Sequence, residues 1–457
     1  MSIKTTIEGV CPSFCRPLIE RIEASPLAYR FLRGAFWSLA GAIIARGLAL
    51  LASILVARML GKSGFGELGI IQITIGMFGT FAGFGLGMTA TKFIAQYRTT
   101  DPLKAGRIRA LSSLFAWATS GVTSVILYIF APWLAEHTLA APQLAGFLQI
   151  GSLYLLLTAV NGAQIGALSG FEAFKAIANI SLWSGLANFP LMVGGVYIDG
   201  IRGAIWALVI AAGVNWLLNH IAIRKECAKA CVPYSYKGCW IEKPILWRFS
   251  IPAMVSSMFF APTEWVLNAM IVNQPGGYGQ IGLFNAAKQW QLLILYLPGV
   301  ISNTTLPILS NLLGEGNRGQ FNKMVAINTL ILTGTALATA LPIAIFSGYI
   351  MGAYGHDFTV GKNVLLLVTV YSVLWAANIV TGQVLWSTGS SKLAMILAAL
   401  RAGILLGTFY FITPKNAYGL ALAFTITYGL QTIYQSIIAI ANANKYFLVS
   451  PKTSIEQ

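Results

Sequence analysis

The chain has 457 residues, of which 56% are hydrophobic and only 10% charged, and its mean hydropathy is +0.72. So little polar surface cannot solvate a globule of that length, which excludes a soluble fold and predicts a polytopic membrane protein. The formal net charge of +16 does not argue for nucleic acid, because the basic residues are spread over short connections rather than gathered on one face. Anionic lipid headgroups are their expected neighbours.

Residues 1–33 carry basic residues throughout and no apolar core, unlike a cleavable signal. Leu18, Ile22, Leu27 and Phe31 fit an amphipathic stretch in the cytoplasmic interface, with a solvated tail as the alternative. Apolar runs long enough to span then follow at 34–57, 68–91, 110–131, 146–168, 176–198 and 203–223. A basic linker over 224–248 separates them from six more, at 249–272, 282–306, 325–350, 363–385, 393–412 and 418–441. A tail at 442–457 ends the chain. In hydrocarbon the backbone must satisfy itself within each segment, so helices are the expected solution.

With both termini in the cytoplasm, 22 of the 30 Lys and Arg residues fall on inner segments, 5 on outer ones and 3 within spans. That asymmetry sets the expected orientation. All five cysteines (Cys11, Cys15, Cys227, Cys231, Cys239) fall on the inner side, where thiols stay reduced. No histidine stands near them, and no metal site is expected.

The two halves follow one plan. Residues 65–69 (FGELG) match 278–282 (YGQIG), Lys104 and Arg109 match Arg318 and Lys323, Gln164 and Gly170 match Gln383 and Gly389, and Gly203 and Ala207 match Gly419 and Ala423. Each half has an even number of spans, so the halves run the same way. The expected fold is therefore all-α, with twelve transmembrane helices in two pseudo-twofold-related six-helix lobes, 34–223 and 249–441, around a central cavity that opens by rocking.

No phosphate-binding loop is present: Gly61-Lys62-Ser63 has the tail of one, but Val56 stands at the first glycine position. No nucleophile elbow appears either, and the three histidines lack metal-ligand spacing. A transporter without a resident cofactor is the expectation. A membrane glycan polymerase or ligase is the enzyme alternative, disfavoured because the outer connections are too short for a catalytic platform.

Four ionisable residues fall inside spans: Arg46, Glu264, Lys288 and Arg401. Near the bilayer centre each costs roughly 2.5–3.5 kcal/mol on insertion scales, so such groups usually face a protein interior or a wet cavity. Arg46 has roughly 17 Å of helix on either side, too deep for easy snorkelling. Lys288 is nearer the outer end, where its stem is long enough to carry the ammonium to the interface. Glu264 is the only acid within a predicted span and lies beside Pro252 and Pro262, which should bend or break that helix. An offset of 218 relates Arg46 to Glu264, so the two should occupy equivalent places and face one another across the cavity. The excess of basic groups suits a phosphate or pyrophosphate, held by Arg46, Lys288 and Arg401, with Glu264 coupling or gating. A purely structural ion pair is the other reading of the same charges.

The segment 57–66 (ARMLGKSGFG) resembles the signature that follows the first span of the polysaccharide-transport family, the Wzx-type oligosaccharide-lipid flippases. Residues 85–87 (GLG), 168–175 (LSGFEAFK), 306–310 (LPILS) and 354–358 (YGHDF) are similar to later positions of that family. The resemblance implies the multidrug/oligosaccharidyl-lipid/polysaccharide exporter fold in the bacterial cytoplasmic (inner) membrane. It further implies an undecaprenyl-pyrophosphate-linked oligosaccharide as substrate, and a polysaccharide polymerase and chain-length proteins as partners. Coupling to a proton or sodium gradient is compatible with it. An ion-coupled multidrug exporter of the same superfamily is the alternative, against which stands Arg46 in the first span.

Overall fold

The computed structural model describes residues 26–83, 85–246, 250 and 258–449. Cys11, Cys15, most of the expected interfacial segment, Pro252 and the start of the expected span 249–272 lie outside the described residues. Among the described residues no β-strand occurs, and seven helices are long and apolar enough to cross a membrane, or eight if one bent pair counts as a single span. Large apolar side chains such as Val122, Ile129, Leu330 and Ile345 stand exposed on the outside, the reverse of a water-soluble bundle and the surface a lipid phase requires.

Helix α1, Pro26–Gly83, is broken at Gly61 (φ 69°, ψ 176°), a geometry that only a residue without Cβ adopts cheaply. Helix α2, Leu86–Tyr97, continues beyond Gly85. Helix α3, Pro102–Trp133, starts before the predicted span because Asp101 accepts from the Lys104 N–H at 2.9 Å and Pro102 stands in the first turn. Helix α4 is Ala145–Gly170 and α5 is Phe174–Lys229, the latter broken at Asp199 and Gly200. The charged residues 224–226 extend α5 past its apolar part, since a helix leaving the bilayer can carry them in water.

The segment after α5 folds back on the first half. Arg107 pairs with Glu242 at 3.1 Å, and the Arg109 guanidinium lies 4.0 Å from the Tyr234 ring centroid.

The second half holds α6 (Phe260–Val272), α7 (Gly277–Ile294), α8 (Tyr296–Gly314) and α9 (Arg318–Ile345). The short α10 (Ser347–Ala353) follows, then α11 (Lys362–Ser387), α12 (Ser391–Phe411) and α13 (Ala417–Val449). Pro262 starts α6 rather than breaking it, because a first-turn residue needs no intrahelical N–H bond. Helices α7 and α8 meet at a 41° bend. Helix α13 is not among the membrane-span candidates: Gln431, Gln435 and Asn442 interrupt its apolar sequence. Its core contacts are aromatic, with Tyr428 stacked on Trp375 (centroids 5.1 Å apart) and on Tyr371 (6.0 Å).

The halves meet firmly at one end. There Arg58 Nε donates to the Ala353 carbonyl (2.6 Å), Tyr278 Oη to that of Leu139 (2.6 Å) and Asn273 Nδ2 to that of Thr138 (2.8 Å). Between α1 and α7 backbone meets backbone: a Cβ on Gly66 would overlap the Tyr278 carbonyl, and one on Gly282 the Lys62 carbonyl. Small residues permit this approach, as in other membrane helix pairs.

Candidate functional site

Glu264 on α6 and Lys288 on α7 form an ion pair. Glu264 is buried, while the Lys288 side chain retains 28% exposure. Two helices joined by the short Asn273–Gly276 turn present these residues to each other, so the acid finds its base within one hairpin. Sequence reasoning expected Glu264 to face Arg46 and left Lys288 between the outer interface and the cavity; the structure pairs Glu264 with Lys288 instead of Arg46. The hairpin of α6 and α7 sets Lys288 against the carboxylate, whereas Arg46, although α1 also packs on α6, points to Tyr296 instead.

Lys288 lines a cavity of about 290 Å³ built from both halves. Ser53 and Gln72 come from the two parts of α1, Asn188 from α5, and Asn285 and Gln289 from α7. The rest of the lining is apolar, with Val56, Phe65, Leu68, Ile73, Met192 and Leu292 among it, so a few neutral polar groups and one ammonium are set in a largely hydrophobic wall. Trp265 crosses between the halves beside it, its Nε1 donating to Thr74 Oγ1 at 3.0 Å. A cation in such a setting, already matched by one carboxylate, can take an anionic group only by exchanging or sharing that partner.

Arg46 is exposed and lays its guanidinium 4.1 Å from the centroid of Tyr296, at the bend between α7 and α8. It therefore touches the second half, although not at Glu264. Arg401 on α12 stands on the other side of Glu264: both line a small void between α6, α12 and α13, and the guanidinium is 5.4 Å from the Phe260 ring centroid. Arg401 pairs with no carboxylate among the described residues. The four charges thus do not form one cluster: Glu264 pairs with Lys288, Arg401 shares a small void with Glu264, and Arg46 reaches Tyr296 from the first half.

Sequence reasoning missed a set of amides on α11 and α13, namely the buried Asn378, Gln431 and Gln435 and the half-buried Gln383. The signal was present in the spacing of Gln431 and Gln435, four apart on one face of an otherwise apolar run. Gln164, the counterpart of Gln383, lines a cavity of about 130 Å³ in the first half together with Arg109 and His220. Among the described residues no group of three His, Cys, Asp or Glu side chains gathers to hold a metal ion. Cys227 and Cys239 are buried free thiols and Cys231 is exposed.

Comparison with known proteins places this geometry in context. The chain is 23% identical to the EPS I polysaccharide export inner membrane protein EpsE of Ralstonia nicotianae, over 89% of this chain and 93% of that protein. It is 20% identical to the lipid III flippase of Escherichia coli, over 87% and 95% respectively. In structure it resembles an inward-facing multidrug resistance MATE family transporter of the MOP superfamily, with a TM-score of 0.70 at 16% identity, covering 90% of this chain and 99% of the other. The shared fold is that of a polytopic helical transporter. The family model of the polysaccharide biosynthesis proteins matches residues 31–313, from the first helix through Glu264 and Lys288 to the end of α8, and the chain belongs to that family.

Proposed function

We propose that this protein is a flippase that carries an undecaprenyl-pyrophosphate-linked oligosaccharide from the cytoplasmic to the outer leaflet by alternating access. The observation that carries the reading is the Lys288 cavity, lined from both halves, in a chain whose relatives include a polysaccharide exporter and a lipid III flippase. A passage bounded by two halves changes its opening when they tilt, and one whose single charged lining residue is a lysine suits a phosphorylated glycan better than an organic cation. The role is transport rather than catalysis, in support of surface polysaccharide synthesis at the inner membrane.

Divided at Gly61 and at Asp199–Gly200, and with α7 and α8 taken as one bent segment, the helices allow six crossings before residue 230 and six after 249. This supports two six-helix lobes, with both termini in the cytoplasm by the distribution of positive charge. In that orientation the firm contacts between the halves lie outward, and the cavity fills from inside. Arg46 and Lys288 receive the pyrophosphate, and Glu264 releases Lys288 as it takes up a proton or loses its partner to the incoming anion. Loading would then weaken the pair that holds α6 and α7 together.

The test is reconstitution of the purified protein into phosphatidylcholine vesicles containing an undecaprenyl-pyrophosphate-linked disaccharide, fluorescently labelled on the sugar. Quencher added outside should reach label from the inner leaflet faster with the protein than with empty vesicles. Equal rates, together with export of a cationic dye by the same vesicles under an ion gradient, would transfer the assignment to the drug exporter. A change in glycan chain length without movement would favour the polymerase.

A further inference from the structure

Glu264 borders two cations. Its Oε1 takes the Lys288 ammonium from α7, while Oε2 has no hydrogen-bond partner among the described residues. Glu264 lines the void it shares with Arg401 and has no part in the wall of the Lys288 cavity, whereas Lys288 lines that cavity and not the void. The carboxylate thus stands between two compartments, each with its own cation. The void is about 10 Å³, near the least space that holds a water molecule. Two long side chains with several torsions each border it, so their meeting is a matter of side-chain rotation.

An anion that takes Lys288 leaves Glu264 charged and buried, a state relieved only by protonation or by a new partner. The neutral donors beside it on α6 are already engaged: Thr263 Oγ1 donates to the Phe259 carbonyl (2.6 Å) and Asn268 Nδ2 to the backbone carbonyl of Glu264 itself (2.7 Å). Phe259, Phe260, Leu405 and Phe424 make the wall of the void largely apolar. Tyr428 borders it too, but a hydroxyl brings no charge. Arg401 brings a fixed charge and several N–H groups, and no carboxylate among the described residues holds it. Its guanidinium stands 5.4 Å from the Phe260 ring centroid, a contact that a charge-assisted bond to a carboxylate outcompetes.

We propose that Arg401 is the second partner of Glu264: when the pyrophosphate of the substrate takes Lys288, the carboxylate passes to the Arg401 guanidinium and stays ionised. The assignment rests on the flippase reading and refines it, because Arg401 becomes a positioning residue that does not touch the anion. The ion pair then ties α6 to α12 in place of α7. A filled and an empty cavity therefore differ in which helices of the second half are held together, and departure of the anion restores the first pair.

The full-length protein in phosphatidylcholine nanodiscs tests this by calorimetric titration with geranylgeranyl pyrophosphate in two buffers of different ionisation enthalpy, which gives both the affinity and the protons taken up. Arg401→Gln should weaken binding at least about tenfold and add about one proton taken up per anion bound, because the stranded carboxylate must then neutralise itself. Arg401→Lys should restore most of the affinity without the extra proton. Arg401→Met, which keeps an apolar stem, answers the same question should Arg401→Gln fail to fold. In a Glu264→Gln background no carboxylate needs a partner, and Arg401→Gln should change neither quantity. Equal weakening in both backgrounds, or weakening without the extra proton, overturns the proposal: Arg401 then acts on the anion directly or through the fold. No weakening overturns it as well. A protein that moves the lipid-linked glycan in vesicles while Arg401→Gln leaves both quantities unchanged keeps the flippase reading and loses this one. One that shows the exchange but moves no lipid-linked glycan keeps Arg401 as the second partner and loses the flippase. An unmodified protein that binds no pyrophosphate loses this proposal together with the pyrophosphate seat at Lys288.

Discussion

Removing the Glu264 carboxylate should cost more than removing the whole pair. Glu264→Gln leaves the Lys288 ammonium without its charge partner, next to an amide that is buried at 7% exposure. Breaking a fully buried pair typically costs about 3–5 kcal/mol. Lys288 keeps 28% side-chain exposure towards a cavity, which lets water soften the loss, so about 2–3 kcal/mol is expected, a factor of roughly 30 to 160 in the folding equilibrium. The double variant Glu264→Gln with Lys288→Met removes both charges and fills the space with an unbranched apolar chain of similar length. It should be more stable than Glu264→Gln alone, because replacing a buried pair by apolar groups is often neutral. Thermal unfolding of the purified protein, followed by tryptophan fluorescence, ranks the variants. If the double variant is destabilised by the sum of the two single effects, the groups are not coupled and the assignment of this pair as the centre of the site fails.

Three further outcomes are expected. Arg46→Ala should slow lipid-linked glycan movement in vesicles by tenfold or more at normal membrane abundance. Arg46→Lys should restore part of it, since an ammonium cannot reproduce the two-pronged hold of a guanidinium on phosphate; full activity of both variants would remove Arg46 from the substrate path. Gly66→Ala places a Cβ against the Tyr278 carbonyl and should force the halves apart at that end, so that Ser53→Cys in a cysteine-free background reacts faster with a membrane-impermeant maleimide added outside. Unchanged reactivity would show that this contact does not close the cavity. In the same background Gln274→Cys should label from outside intact cells and Glu315→Cys only after permeabilisation. Equal labelling of the two from outside would end the expected orientation.

Much of the helical framework was legible because bilayer length and hydropathy constrain it strongly. The break at Gly61 falls within the ARMLGKSGFG segment that carried the resemblance, and the Asp199–Gly200 break falls between the apolar runs 176–198 and 203–223. Helix ends were less legible: α3 begins at Pro102 and α13 runs to Val449, because capping and water-borne extensions leave no mark on hydropathy. The identity of the four intramembrane charges was readable from cost alone, but their partnerships were not. The offset between Arg46 and Glu264 describes equivalence under a repeat, whereas pairing depends on which side chain is within reach, and that is Lys288. The amides of α11 and α13 escaped notice because each is unremarkable singly. Their significance is as a group, and the group exists only once the helices are packed.

The approach of α1 and α7 through Gly66 and Gly282 has a kinetic side. Where side chains interlock, parting two surfaces requires many of them to change rotamer or pass one another, and the passage between states is correspondingly slow. At Gly66 and Gly282 bare backbone rests on bare backbone, so at these two positions the seam parts without a side chain having to change rotamer. The bonds that remain at that end, from Arg58, Asn273 and Tyr278, each donate to one carbonyl of the other half and break one at a time. A transporter gains from such a seam: it can stay shut by default, yet the moment of opening need not set the pace of the cycle.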